Sequence, residues 1–113
     1  MKPGNIILVR LPQPARDRSK LRPALVLATL PGPYQELLIC GISTQLQDLQ
    51  PDWDEMISPA DVGFTHCGLQ RASAIRLSYL YAAFSTEIVG SIGRIAPEQL
   101  GLLRMRLMDR LRT

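Results

Sequence analysis

Aromatic side chains are scarce in this chain, making up 5% of its 113 residues. Proteins that grip unpaired bases stack them on aromatic platforms, so recognition of nucleic acid here would have to lean on phosphate contacts and hydrogen bonds. Histidine occurs once and cysteine twice, as Cys40 and Cys67. That set makes neither a zinc site nor a disulfide framework, although a single bridge between the two cysteines stays open. No metal and no cofactor are expected. Long apolar runs are missing too: none approaches the roughly 20 residues of a membrane-spanning helix. The start, Met1 Lys2 Pro3 Gly4, has no apolar segment of the signal-peptide kind. The expectation is a cytoplasmic protein with no membrane contact. Charge is mild, at a formal net +3, which permits an acidic partner without requiring one.

What is present is an ordinary globular composition, 46% apolar and 20% charged, long enough for one hydrophobic core. Residues 1–113 therefore read as a single domain. Apolar and β-branched residues at 5–11 predict a strand that ends at Pro12 and Pro14. Arg16, Asp17, Arg18, Ser19 and Lys20 then read as a surface loop. Residues 23–30 and 34–42 predict a hairpin across Pro31 Gly32 Pro33. A polar connection over 43–59 follows, with one short strand around Met56 and Ile57. Two strands are expected at 69–77 and 79–84, a turn near Ser85 and Thr86, and a last strand over 89–95. The terminal helix is the clearest element. Pro97 and Glu98 open it, Leu100, Leu103, Leu107 and Leu111 recur at helical spacing, and arginines fill what reads as a solvated face. Cys40 lies in an apolar run and reads as a small core residue. Many short strands with one terminal helix predict a mainly β fold built on a strongly curved sheet.

The junction Arg22 Pro23 is the most informative local feature. Proline restricts the residue before it to extended conformations and demands no ladder N–H of its own. A guanidinium aimed by such a stiff backbone offers a flat fork of five donors suited to a phosphodiester. A salt bridge at a strand edge accounts for the dipeptide equally well.

Gly4 Asn5 Ile6, then Arg22 Pro23 Ala24 Leu25 Val26 Leu27, then Leu38 Ile39 Cys40 Gly41 Ile42 Ser43 Thr44 Gln45 follow in an order and spacing that resembles the MazF/PemK toxins of bacterial toxin-antitoxin systems. Gly68 Leu69 Gln70 Arg71 Ala72 Ser73 Ala74 Ile75 Arg76 and Ile92 Gly93 Arg94 Ile95 extend the resemblance over nearly the whole chain. It implies a β-barrel of the SH3-like, MazF/PemK/CcdB type, paired as a homodimer. It also implies a metal-independent endoribonuclease that cuts single-stranded RNA by attack of a 2′-hydroxyl. The implied partners are the RNA substrate and an antitoxin whose disordered acidic segment covers the same groove, with DNA met only through the antitoxin complex.

By the resemblance Arg22 stands at the catalytic arginine and Ser43 at a catalytic threonine, retaining the hydroxyl. Thr44 is the neighbour that a one-residue shift would substitute, and strand alternation lets only one of the two face a site. Both hydroxyls fit equally a role in ending the strand. Arg71 keeps an arginine found in some relatives, but Ser73 replaces the aspartate two residues on, and Lys20 stands near where several relatives carry a glutamate. The expected carboxylates are missing. Imidazole exchanges protons near neutrality, so His66 could supply the base or could be an incidental loop residue. Arg16, Arg18, Lys20 and Arg76 are candidate phosphate contacts. A catalytically inert binding protein on the same scaffold, acting through antitoxin contact or in a DNA-binding repressor complex, is the alternative reading.

Overall fold

The computed structural model describes residues 1–13 and 16–113, with backbone alone over 11–13 and 16–19. As side chains, Arg16 and Arg18 lie outside the described residues. The strands are β1 (Asn5–Gln13), β2 (Arg16–Thr29), β3 (Leu37–Ser43), β4 (Glu55–Ile57), β5 (Ser73–Ala83) and β6 (Ile88–Arg94), and the helix is α1 (Pro97–Leu111). They form one antiparallel sheet in the order β4-β5-β3-β2-β1-β6. The mainly β architecture with a C-terminal helix is the one the sequence predicts.

Strand alternation divides the side chains between two faces. On one face Ile6, Leu25, Leu27, Cys40, Ile42, Ile75 and Leu77 pack with Leu100, Leu103 and Leu107 of α1 and with Ile57, Phe64 and Cys67. On the other, Ile7, Val9, Ala24, Val26, Leu37, Ile39 and Ala83 form a second cluster, with Tyr79 and Tyr81 against it. Both cysteines are buried and unbridged, so Cys40 is the core residue expected.

The sheet curls far enough for its two edges to meet. Residues 64–68, which connect edge strand β4 to β5, lie backbone against backbone on the opposite edge strand β6. A Cβ added to Gly93 would sit 2.5 Å from the carbonyl oxygens of both His66 and Cys67. A Cβ on Gly68 would sit 2.8 Å from the carbonyl carbon of Ile92, and Gly68 has φ +77°. Only glycine allows that approach at both positions. The crossing encloses the helix-side core between sheet, helix and connection.

Several expectations need correction. Arg16 to Lys20 is strand, not loop: β2 runs unbroken from Arg16, and Lys20 pairs with Leu11 of β1. The two strands expected around Ser78 are the single strand β5, whose register with β3 jumps between the pairs Gly41–Arg76 and Cys40–Leu80. Leu111 is 63% exposed, so the leucine stripe ends at Leu107. The arginines of α1 are not all solvated either. The β2–β3 register shifts between Val26 and Ala28, leaving the Leu27 carbonyl outside the ladder, and Arg104 donates to it from Nε at 2.9 Å and Nη2 at 2.6 Å. Arg106 donates to the Asp54 carbonyl at 2.7 Å.

Candidate active site

Arg22 and Ser43 meet through the register of β2 and β3. Ala24 pairs with Gly41, and two further residues along each strand bring Arg22 opposite Ser43. Both sit at alternation positions of the face that carries Ala24, Val26 and Ile39, away from α1. Continuing outward, Ser43 pairs with Ala74 of β5, and Ala74 with Met56 of β4. On the other side Arg22 pairs with Val9. The row Val9–Arg22–Ser43–Ala74–Met56 thus crosses five strands on one face.

Pro23 fits this geometry at a different point from the one expected. It lies inside β2, where the β2–β3 ladder ends. Gly4 N donates to Val26 O, so even-numbered residues of this stretch turn their backbone groups toward β1 and Pro23 turns toward β3. The last β2–β3 pair is Ala24–Gly41, and the missing N–H therefore costs no ladder bond. β3 stops one row further on, and the Ser43 hydroxyl accepts from Gln45 N at 3.0 Å. That bond fixes the Oγ and leaves its own hydrogen to be donated outward. Thr44 follows the strand end and is exposed.

Beside this row lies a carboxylate that the sequence reading missed. Arg76 pairs with Gly41, which makes it the diagonal neighbour of Ser43 on the same face. Its Nε is 3.6 Å from Asp54 Oδ2 and its Nη2 is 3.5 Å from Ser78 Oγ. Asp54 is 2% exposed. Its Oδ1 accepts from Ser78 N at 2.9 Å, and its Oδ2 accepts from Ser78 Oγ at 3.0 Å and from Gln50 N at 2.9 Å. The register jump in β5 turns the Ser78 amide out of the ladder, and Asp54 satisfies it. Nothing in the local sequence marks this aspartate; only its place between Trp53, which packs on the helix-side core, and the Met56–Ile57 strand signal was visible.

The other candidates are placed elsewhere. Ser73 is 1% exposed and its hydroxyl donates to the Arg71 carbonyl at 3.0 Å, on the face that β5 turns toward Ile57 and the helix-side core. Arg71 is exposed just ahead of β5. His66 is exposed within the 64–68 crossing on β6, and β1 and β2 separate that edge from β3. Lys20 is exposed, two residues before Arg22 on the same face of β2. Among the described residues, no three His, Cys, Asp or Glu side chains converge as metal ligands, and no helix is long and apolar enough to cross a membrane.

The family model for the PemK-like, MazF-like toxin of type II toxin-antitoxin systems matches residues 2–111. The chain belongs to that family. Among solved structures it is similar to the Mycobacterium tuberculosis toxin MazF-mt6, with a TM-score of 0.66 over 93% of each chain at 17% identity, a likeness of fold. A search among curated proteins gives no match. In this toxin the row holding Arg22 and Ser43, with Arg76 diagonal to it, gathers two guanidiniums and a fixed hydroxyl on one side of the sheet. Such a set can bind a phosphodiester, donate to a non-bridging oxygen and offset added negative charge.

Proposed function

We propose that this toxin is a metal-independent endoribonuclease acting on single-stranded RNA. The register that sets Arg22 opposite Ser43 carries this reading, together with membership of a family whose toxins are generally endoribonucleases. In the proposed reaction a ribose 2′-hydroxyl gives its proton to solvent as its oxygen attacks the adjacent phosphorus, and the 5′-oxygen of the next nucleotide leaves and takes up a proton from solvent. The products are a 2′,3′-cyclic phosphate and a 5′-hydroxyl. Ser43 donates to a non-bridging oxygen, and Arg22 neutralises the charge that builds on the phosphorane. Lys20 and Arg76 hold flanking phosphates, contacts that position RNA without reading its sequence. The partner is an antitoxin whose acidic segment competes for the same cations. The working form is a cytoplasmic homodimer.

One observation favours a second reading, that of an inert binding protein. The carboxylate beside the row, Asp54, is buried and bonded on both oxygens, and His66 lies at the far edge strand, so neither is placed to take the 2′-proton. Incubating antitoxin-free protein with mixed RNA in EDTA separates the two. Cleavage supports the enzyme, and intact RNA at high protein concentration supports the binding protein.

A further inference from the structure

Asp54 does more than fill a gap in the sheet, because its carboxylate and the Ser78 hydroxyl bonded to it both lie against Arg76. Its backbone carbonyl is held by Arg106 of α1, and its carboxylate by the amide and hydroxyl of Ser78. The guanidinium of Arg76 is thereby flanked by a buried negative charge on its Nε side and by a hydroxyl at Nη2. Nε itself is buried and has no hydrogen-bond partner, yet the side chain keeps 25% of its surface in solvent. An arginine with its inner edge enclosed and its outer edge exposed is oriented, and its rotamer freedom is reduced before a ligand arrives.

We propose that Asp54 is a positioning residue for RNA binding: it aims Arg76 so that the outer edge of the guanidinium clamps a phosphate of the substrate next to the one held by Arg22 and Ser43. This rests on the ribonuclease reading above. A carboxylate with no exposed surface cannot touch RNA, so any effect it has on binding is indirect, and the Arg76→Ala background measures the share that passes through Arg76. The arrangement also returns a negative charge to a site whose expected carboxylates are absent, in a role that leaves the proton transfers untouched.

The test uses the protein of residues 1–113 and a single-stranded RNA that the wild-type protein cleaves, made with 2′-O-methyl riboses so that it binds without reacting. Arg76→Ala is expected to weaken binding roughly tenfold, as a charged hydrogen bond of this class does. It should also flatten the dependence of log affinity on log salt by about 0.7, one phosphate's worth on a single strand. Asp54→Asn, which preserves shape and removes charge, is expected to weaken binding roughly three- to tenfold in the wild-type background and to have no effect in the Arg76→Ala background. Equal losses from Asp54→Asn in both backgrounds, or none in either, would overturn the proposal. If Asp54→Asn does not fold, Ser78→Ala removes the shared hydroxyl while the carboxylate keeps its charge and its bonds from Ser78 N and Gln50 N. The same background-dependent loss, smaller in size, is then expected, and a background-independent one would refute the idea. If the wild-type protein cuts no RNA, the ribonuclease reading fails and takes this inference with it. Cleavage by the wild type with no coupling between Asp54 and Arg76 fails the inference alone.

Discussion

Replacing Gly93 by alanine tests the backbone crossing that closes the fold. The added Cβ would lie 2.5 Å from the carbonyl oxygens of His66 and Cys67, whereas ordinary contact begins at 3.4 Å. The 64–68 segment would have to retreat by about 1 Å from a close-packed interior. That retreat has no flexible side chain to absorb it, because the obstructing atoms are backbone, and Phe64 and Cys67 anchor the segment in the helix-side core. Overpacking usually costs about 1–3 kcal/mol, and the rigid partners here place the expected loss at about 2 kcal/mol or more. For a domain of this size that lowers Tm by about 8–15 °C. Gly90, on the same strand, has open space where its Cβ would go, and Gly90→Ala should stay within about 0.5 kcal/mol of the parent. Urea titrations of the two variants at matched m-value give the comparison directly. Equal stabilities for Gly93→Ala and Gly90→Ala would refute the crossing.

Three further outcomes follow from the same structure. Leu103→Ala empties a fully buried position where α1 meets the sheet, and should cost about 2–5 kcal/mol by chemical denaturation; a loss under 1 kcal/mol would mean that the helix is not seated as described. Burial pushes the Cys40 thiol up to about 12, so it should resist alkylation at pH 8 until the protein unfolds. The folded state then holds a proton that the unfolded chain gives up above about pH 9, so this stability is present below pH 9 and is lost toward pH 12. Tyr81, whose hydroxyl donates to Glu87 and is raised by that bond, acts with the same sign above about pH 10. Urea midpoints should fall from pH 8 to 11, and fall less in Cys40→Ala; an unchanged slope in that variant would contradict the assignment. Finally, Thr44→Ala should impair RNA cleavage far less than Ser43→Ala, and equal losses would overturn the register.

The Arg22–Ser43 row was within reach of the sequence because the two residues lie at nearly equal distances from the Pro31 Gly32 Pro33 turn, and a hairpin pairs residues by that distance. Its one departure, the bulge at Leu27, shifts the outer part of the ladder by one residue and so sets Ser43 rather than Thr44 opposite Arg22. The strand over Arg16 to Lys20 was not legible: its residues are charged and polar, without the apolar alternation that marks a strand, and its pairing with β1 lies beyond the end of β3. Asp54 was hidden for a different reason. Its contact with Arg76 depends on a three-residue jump in the register of β5 and on a polar connection folding back upon it, both of them non-local. Ser73 shows the opposite failure. Aligned by motif it looked like a substitute for a catalytic aspartate, but alternation along β5 turns it to the helix side, where its hydroxyl donates to the Arg71 carbonyl. The glycines of the Gly68 and Ile92–Gly93 motifs explain each other only once the two segments are seen to cross.

The most direct test of the central claim is the chemistry of the ends left on RNA by antitoxin-free protein in EDTA, compared among wild type, Arg22→Ala and Ser43→Ala. The account predicts 2′,3′-cyclic phosphate and 5′-hydroxyl termini from the wild type, no cleavage by Arg22→Ala and a loss of at least about tenfold in Ser43→Ala. Full cleavage by Arg22→Ala, or 5′-phosphate termini from the wild type, would contradict it.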